Sequence, residues 1–468
     1  MSFVFYDTET SGVDTRFDQI LQFAAIKTDA YLNIIERFEI RSRLLPHIIP
    51  SPTALQITGI SIGRLTQTNA PSHYDMVSAI KCKLEEWSNS IFLGYNSLRF
   101  DEELLRQALY QNLHPPYLTN SNGNCRNDLI HLVKMVAEFE PDCLQIPISA
   151  DGKQVFKLDQ LAPLNGFAHE YAHDALSDVE ATIYLCKLIS ENAPEIWSRF
   201  LRYSKKVAVE EFLQEEEPFL LSEFYFGKAK HMPVFPIGKD SKDGNVTICL
   251  NLEHDIEKLR NLSDSEIANA VVTSIPTLGK PLRKAKANAG PNITSFDNVP
   301  DHILDEDSKE HFVATAEELN SDTNLKLRLV AAYEETKKEY ETSPHIEEQI
   351  YEGFANYNDK ILMERFHSLP WSERHKLCDH FEDPRYSFLA RRLIFFNNPN
   401  DLSVEKQSEI RNHILSRVRE GEYTEPKWTT LQKAKLECEA ILSNNENTEN
   451  EIVANYLKYL EHRLSQIA

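Results

Sequence analysis

Apolar and polar positions alternate at the start of the chain. Phe3-Val4-Phe5-Tyr6 is an apolar, aromatic run that passes into Asp7-Thr8-Glu9-Thr10-Ser11 and stops at Gly12, which predicts a strand ended by a glycine turn. Side chains of a strand alternate between faces, so Asp7 and Glu9 share the side of Phe3 and Phe5, while Val4 and Tyr6 take the other. Both sides read as buried. Further strands are predicted over 19–28 and 33–40, and Pro46, Pro50 and Pro52 then break the pattern before a short helix ended by Gly59. Met76, Val77, Ile80, Leu84 and Trp87 recur at helical spacing, and Ile91-Phe92-Leu93-Gly94 reads as a buried strand.

A helix opens at Phe100-Asp101 with Leu104, Leu105, Ala108 and Leu109 on its apolar side, and another covers 128–139. A short element starts at Val155, and Leu176, Val179, Ile183 and Cys186 mark the buried stripe of a further helix carrying Asp178. Strands followed by alternating helices predict an α/β domain over 1–195. Short strand-like runs at 220–226, 232–236 and 246–250 then predict a small antiparallel sheet or barrel, with 279–311 as a loop or linker. Helical spacing resumes from about 313 and runs to the end, broken at Ser443-Asn444-Asn445-Glu446-Asn447.

Composition adds limits. With 468 residues, 41% hydrophobic and 26% charged, the chain is an ordinary globular one with material for two to four domains. Its seven cysteines are scattered without a C-x-x-C pair, which argues against a zinc site or disulfide framework and fits a reducing cytosol. The start lacks a basic, signal-like segment and no stretch is apolar enough to span a bilayer, so the expectation is a cytoplasmic protein without membrane association. A net charge of −22 argues against a polyanionic partner unless basic residues are gathered locally.

Candidate chemistry lies in the acids. Two carboxylates on one face of a core strand repel each other and resist desolvation, and Mg²⁺, which takes oxygen ligands, relieves both. Taken alone, Asp7-x-Glu9 reads first as a solvated strand end that starts a turn. Asp101 alone reads first as a helix N-cap, where a carboxylate meets the positive end of the helix dipole. His173-x4-Asp178 is weak evidence by itself. Together, in chain order, they make four carboxylates and one imidazole within one α/β unit. Phosphodiester hydrolysis with two divalent metals needs that inventory, with a histidine able to take a proton from water.

These three segments, Phe5-Tyr6-Asp7-Thr8-Glu9-Thr10, Gly94 to Glu103 and Ala172 to Asp178, resemble the motifs of the DEDDh 3′→5′ exonucleases, and most fully the bacterial exonuclease I group. Arg126-Asn127-Asp128-Leu129, Phe156 to Leu161, Tyr351-Glu352-Gly353-Phe354 and 383–397 extend the resemblance to nearly the whole chain. It implies a ribonuclease H-like exonuclease domain (1–195), an SH3-like β-barrel domain with linker (196–342) and a C-terminal all-helical domain (343–468). It further implies processive digestion of single-stranded DNA to 5′-mononucleotides in DNA repair or recombination. Asp7, Glu9, Asp101 and Asp178 would hold two Mg²⁺ ions, for which Mn²⁺ could substitute. His173 would be the general base, with Thr8 and Glu9 against the terminal nucleotide. Lys157 stands where the family can carry arginine beside the substrate, and its single mobile charge implies looser phosphate contact.

Non-specific binding of a single strand calls for a basic groove with aromatic platforms. The candidates are Arg99, Arg106, Tyr117, Arg126 and Lys134, followed by Lys205 and Lys206 and then by Lys280, Arg283, Lys284 and Lys286. For the last group, a solvated charge run is as good a reading as a DNA contact. The resemblance also implies a monomer that takes the acidic C-terminal tail of a single-stranded DNA-binding protein as partner. Two other readings stay open: an RNase or proofreading exonuclease with the same chemistry, and a catalytically idle nucleic-acid-binding scaffold.

Overall fold

The computed structural model describes residues 1–168, 173–225, 227–338, 341–419, 426–444 and 450–467. Ala172 of the third motif, Phe226 at the end of a predicted strand and Asn445-Glu446-Asn447 of the predicted break lie outside the described residues. The first unit runs β1 (Ser2–Thr10), β2 (Ile20–Thr28), β3 (Ile34–Arg41), α1 (Pro52–Thr58), α2 (Ile62–Leu65), α3 (His73–Glu86), β4 (Ser90–Gly94), α4 (Asp101–Gln111), β5 (Cys125–Asp128), α5 (Leu129–Phe139), α6 (Leu158–Leu164), α7 (Ala175–Asn192) and α8 (Pro194–Arg202); α9 (Lys206–Glu215) follows and packs through Val209, Phe212 and Leu213 on the sheet of the second unit.

Its sheet has the order β3-β2-β1-β4-β5, antiparallel across the first three strands and parallel across the last three. β1 therefore sits at the centre. Phe3 and Phe5 pack with Leu132, Val133 and Val136 of α5, Val179, Ile183 and Cys186 of α7, and Trp197 of α8. Val4 and Tyr6 pack on the other face with Met76, Val77 and Ile80 of α3 and Leu104 and Leu105 of α4. Helices on both faces explain why the strand is apolar on both sides.

The parallel pairing of β1 with β4 runs only from Ser2↔Ser90 to Phe5↔Leu93. Gly94 then lets the chain turn away, since a Cβ there would lie 2.9 Å from the Tyr6 carbonyl oxygen. Beyond Phe5 the β4-facing edge of β1 is open, which is the end of a parallel strand pair where α/β sheets place their sites.

The second unit contains β6 (Phe219–Tyr225), β7 (Lys228–Lys239), β8 (Val246–Asn251), α10 (Ile256–Asn261), α11 (Asp264–Val272), β9 (Leu282–Lys286), β10 (Ile293–Ser295), α12 (Glu306–Ser321) and α13 (Thr323–Glu335). Its strands form one antiparallel sheet in the order β10-β6-β7-β8-β9. The predicted linker at 279–311 instead supplies β9 and β10. In β9, Leu-Arg-Lys-Ala-Lys buries fully only Ala285, so its charges hid a one-faced strand. Helices α11–α13 cover the sheet through Phe235, Leu250, Leu319, Leu325 and Leu329.

The third unit is helical: α14 (Tyr357–Ser368), α15 (Trp371–Arg374), α16 (Pro384–Asn397), α17 (Val404–Val418), α18 (Leu431–Asn444) and α19 (Glu451–Ile467). It packs on the first unit twice. Tyr74, Tyr110 and Leu113 join a core with Phe366, Leu377 and Leu389, and α18–α19 cover α1 and α2 through Leu431, Tyr456 and Leu460. Tyr456 donates its hydroxyl to the Pro50 carbonyl at 2.8 Å. No helix among the described residues is long and apolar enough to cross a membrane, and the seven cysteines are free thiols.

Candidate active site

Asp7 and Glu9 leave the same face of β1 and meet Asp178 in the first turn of α7. One carboxylate oxygen of each lies within 4.8 Å of the others. Asp101 arrives from the opposite side. It is the first residue of α4, but its side chain does not cap that helix. Its Oδ1 accepts from the Thr8 amide at 3.0 Å and from the Thr8 hydroxyl at 2.5 Å, filling the place on the open edge of β1 that β4 has vacated. Asp101 thus ties α4 to β1 instead of capping its own helix; its charge raises the Asp7 and Glu9 carboxyls, but it is not one of the three acids whose oxygens converge within 4.8 Å.

Charges at this spacing are costly. Burial and then the Asp101, Asp178 and Glu9 carboxylates push the Asp7 carboxyl well above its ordinary range. Glu9 is pushed up to about 9 by burial, with Asp178 and Asp101 next. Burial raises Asp101 to about 7 against the opposing Thr8 hydrogen bonds. Oxygen-only donors that cannot all ionise unaided fit a hard divalent cation.

His173 is exposed and stands two residues ahead of α7 in a left-handed conformation (φ +66°), uncommon for a residue with a side chain. Its neighbour Asp174, unremarked in the sequence, caps α7 through the Ser177 amide at 3.4 Å. Asp174 also accepts from Gln22 at 3.0 Å and pairs with Arg41 at 2.9 Å, so the helix that carries Asp178 is pinned to β2 and β3. The signal was an Asp three residues ahead of a serine at a helix start. Asp128, which the sequence marks only as part of the 126–129 segment, has a second such role. It caps α5 at the Ile130 amide and accepts from the Asn96 and Leu98 amides at 2.7 and 3.0 Å, holding the turn that delivers Asp101.

The expected strand-contacting residues divide into two groups. Arg99 is exposed in that turn, and Lys157 is exposed just ahead of α6. Lys134 lies over the rings of Phe156 and Phe224 at 5.8 and 5.6 Å, and burial, together with Arg99, lowers its pKa despite Asp128. Tyr95 donates to the Phe156 carbonyl at 2.8 Å, bringing the Lys157 segment to the end of β4. Arg99, Lys134 and the Lys157 segment are therefore gathered near the end of β4 in a chain that is acidic as a whole.

Arg106 and Arg126 depart from expectation, because the buried Glu102 takes both. Burial raises the Glu102 pKa, but Arg126 and Arg106 outweigh it and hold the carboxyl below its usual range. Tyr117 lies under the Arg106 guanidinium at 5.0 Å and beside Phe354 at 5.6 Å. Phe354 is 79% exposed at the edge of a cavity of about 850 Å³ between the first and third units, lined by Tyr110, His114, Tyr117, Met363 and Tyr386 among others. Of the later cations, Lys206, Arg283 and Lys286 pair with Glu210, Glu223 and Asp243, and Lys284 lies over Tyr333 at 5.0 Å. Lys205 is exposed just ahead of α9, and Lys280 is exposed ahead of β9.

The fold and the converging acids are those of an exonuclease domain, and the family model described as Exonuclease matches residues 4–186. A second model, the exonuclease I C-terminal domain, matches 344–463. Exodeoxyribonuclease I of Buchnera aphidicola (subspecies Schizaphis graminum) is 28% identical over 100% of this chain and 96% of its own length. That of Haemophilus influenzae is 29% identical over 94% and 93%. The crystal structure of E. coli exonuclease I in complex with a dA16 oligonucleotide superposes with a TM-score of 0.85 at 24% identity, covering 100% of both chains. The chain belongs to the bacterial exonuclease I family.

Proposed function

We propose that this protein is a Mg²⁺-dependent 3′→5′ exodeoxyribonuclease that removes 5′-mononucleotides from single-stranded DNA. The observation that carries this is the convergence of Asp7, Glu9 and Asp178 within 4.8 Å, with Asp101 delivered beside them by Thr8. Asp7, Glu9, Asp101 and Asp178 would hold two divalent cations, with Mn²⁺ able to replace Mg²⁺. When bound, the cations supply Lewis-acid stabilisation of the charge that builds on the phosphate oxygens. The exposed His173 imidazole takes the proton from the attacking water as general base. Arg99, Lys134 and Lys157 draw the strand's phosphates toward the acids, and Tyr117 with Phe354 offers rings for bases further along the strand.

The family resemblance supports a monomer that receives the acidic tail of a single-stranded DNA-binding protein. A pull-down insensitive to deletion of that tail would remove this partner from the proposal. Digestion of end-labelled single-stranded DNA, duplex DNA and RNA, with Mg²⁺ and with EDTA, tests the main reading. Loss from the 3′ end of single-stranded DNA, with Mg²⁺ only, is expected. Equal digestion of RNA would favour an RNase, and binding without turnover would favour a scaffold.

A further inference from the structure

Glu102 belongs to none of the roles above, yet it is fully buried and saturated with donors. Its Oε2 accepts from the Tyr6 hydroxyl at 2.8 Å. Its Oε1 accepts from the Thr119 hydroxyl at 2.6 Å, from Arg106 Nε at 3.1 Å and from Arg126 Nη1. A buried carboxylate with two buried guanidiniums is a poor way to gain stability, because an apolar cluster of the same shape does as well. What such a network supplies is a fixed orientation.

The partners show what is being oriented. Tyr6 precedes Asp7 on β1, and Glu102 follows Asp101 on α4. Tyr6 and Thr8 point to the same face of the strand, so Tyr6–Glu102 and Thr8–Asp101 are two successive rungs between β1 and the first turn of α4. Asp7 lies between the rungs and points to the opposite face, toward Glu9 and Asp178. With the Thr8 rung alone, the first turn of α4 could pivot about it. With both, the spacing between Asp7 and Asp101 is set.

We propose that Glu102, through Tyr6, is a positioning residue that fixes Asp101 relative to Asp7 and so sets the affinity of the site for a divalent cation. The proposal rests on the exonuclease reading for its consequence in turnover, but the cation affinity can be measured without it. Groups that orient metal ligands from behind are typically worth about 10–100-fold in metal affinity or activity.

The test uses the full chain and two variants. Tyr6→Phe keeps the ring and removes only the hydroxyl, and Glu102→Gln keeps the shape and removes the charge. Mn²⁺ binding is followed by electron paramagnetic resonance, and the Mg²⁺ midpoint of single-strand digestion is measured alongside. Both variants should bind Mn²⁺ about 10–100-fold more weakly, with a raised Mg²⁺ midpoint, an unchanged KM for DNA and recovery at high Mg²⁺. Unchanged Mn²⁺ affinity and Mg²⁺ midpoint would overturn the proposal, even if the variants were less stable. If Glu102→Gln does not fold, Tyr6→Phe decides alone. If the parent protein digests nothing, the exonuclease reading falls, and the Mn²⁺ comparison still decides the positioning role.

Discussion

Asp101 Oδ1 takes both the amide and the hydroxyl of Thr8, at 3.0 and 2.5 Å, so a residue at the start of one helix is tied to the backbone of the central strand 93 positions earlier. This bond brings the second acidic segment to the first. Asp101→Asn keeps an oxygen that can accept both bonds but loses the charge that a cation needs. Digestion should fall by more than about 100-fold, beyond what an outer-shell change costs, while circular dichroism stays that of the parent. Activity within a few-fold of the parent would place Asp101 outside the site.

Asp7 is pushed toward its neutral form by burial and by four neighbouring acids, Asp101, Asp178, Glu9 and Asp174. Removing its charge should therefore help the metal-free fold. Asp7→Asn is expected to abolish digestion and, in EDTA, to melt at the same temperature as the parent or higher. A marked fall in melting temperature in EDTA would mean that the carboxylate is a structural partner.

The same shifts give a pH dependence. Glu9 has a folded value of about 9 against an ordinary 4.5, and Asp101 about 7 against 3.8. Groups raised on folding contribute stability below their unfolded values and lose it as pH rises through the folded ones. Metal-free protein should lose stability progressively between about pH 4 and pH 9, and saturating Mg²⁺ should remove most of that slope. Metal binding near neutral pH should release protons, seen as a buffer-dependent heat in calorimetry. Binding heats independent of buffer would contradict the shifted values.

Glu347 sets the opposite slope. It is buried between Arg392 at 3.0 Å, Arg417 at 3.6 Å and His413 at 3.7 Å. Burial raises its pKa, but the neighbouring His413 imidazole and the two guanidiniums outweigh this and hold it well below 4.5. Its stabilisation is present above the ordinary glutamate value and is lost as pH falls through the lower folded one. Glu347→Gln would leave buried guanidiniums uncompensated, at a cost of about 3–5 kcal/mol, without moving the Mg²⁺ midpoint. Urea denaturation of the two proteins checks the first part and digestion the second.

Phe354, exposed beside Tyr117 at the edge of the 850 Å³ cavity, tests the strand path. Loss of a stacking platform costs about 1–3 kcal/mol per base. Phe354→Ala should raise KM for long single strands and shorten each run of digestion, while very short oligonucleotides are cut as before. Equal effects on short and long substrates would place the ring off the path.

Much of this site is legible in the chain because local patterns are strong where the acids lie. Alternation put Asp7 and Glu9 on one face of β1, and helical spacing put Asp178 on α7. The direction of Asp101 was not legible, because a carboxylate at a helix start reads the same whether it caps the helix or reaches to another element. Arg106 and Arg126 looked like strand contacts because Glu102, which takes both, is buried by tertiary packing. The strand β9 was hidden by lysines on its exposed face. The return of α18–α19 onto α1, sealed by Tyr456 on the Pro50 carbonyl, joins the two ends of the chain, a distance that no local pattern spans.

The most direct measurement is anomalous scattering from crystals of the full chain soaked in Mn²⁺. Two peaks, about 3.5–4 Å apart as in other two-metal sites, are expected among the carboxylates of Asp7, Glu9, Asp101 and Asp178. Saturating Mn²⁺ with no peak among these four side chains, or with ions bound only elsewhere, would contradict a metal-dependent active site built on β1.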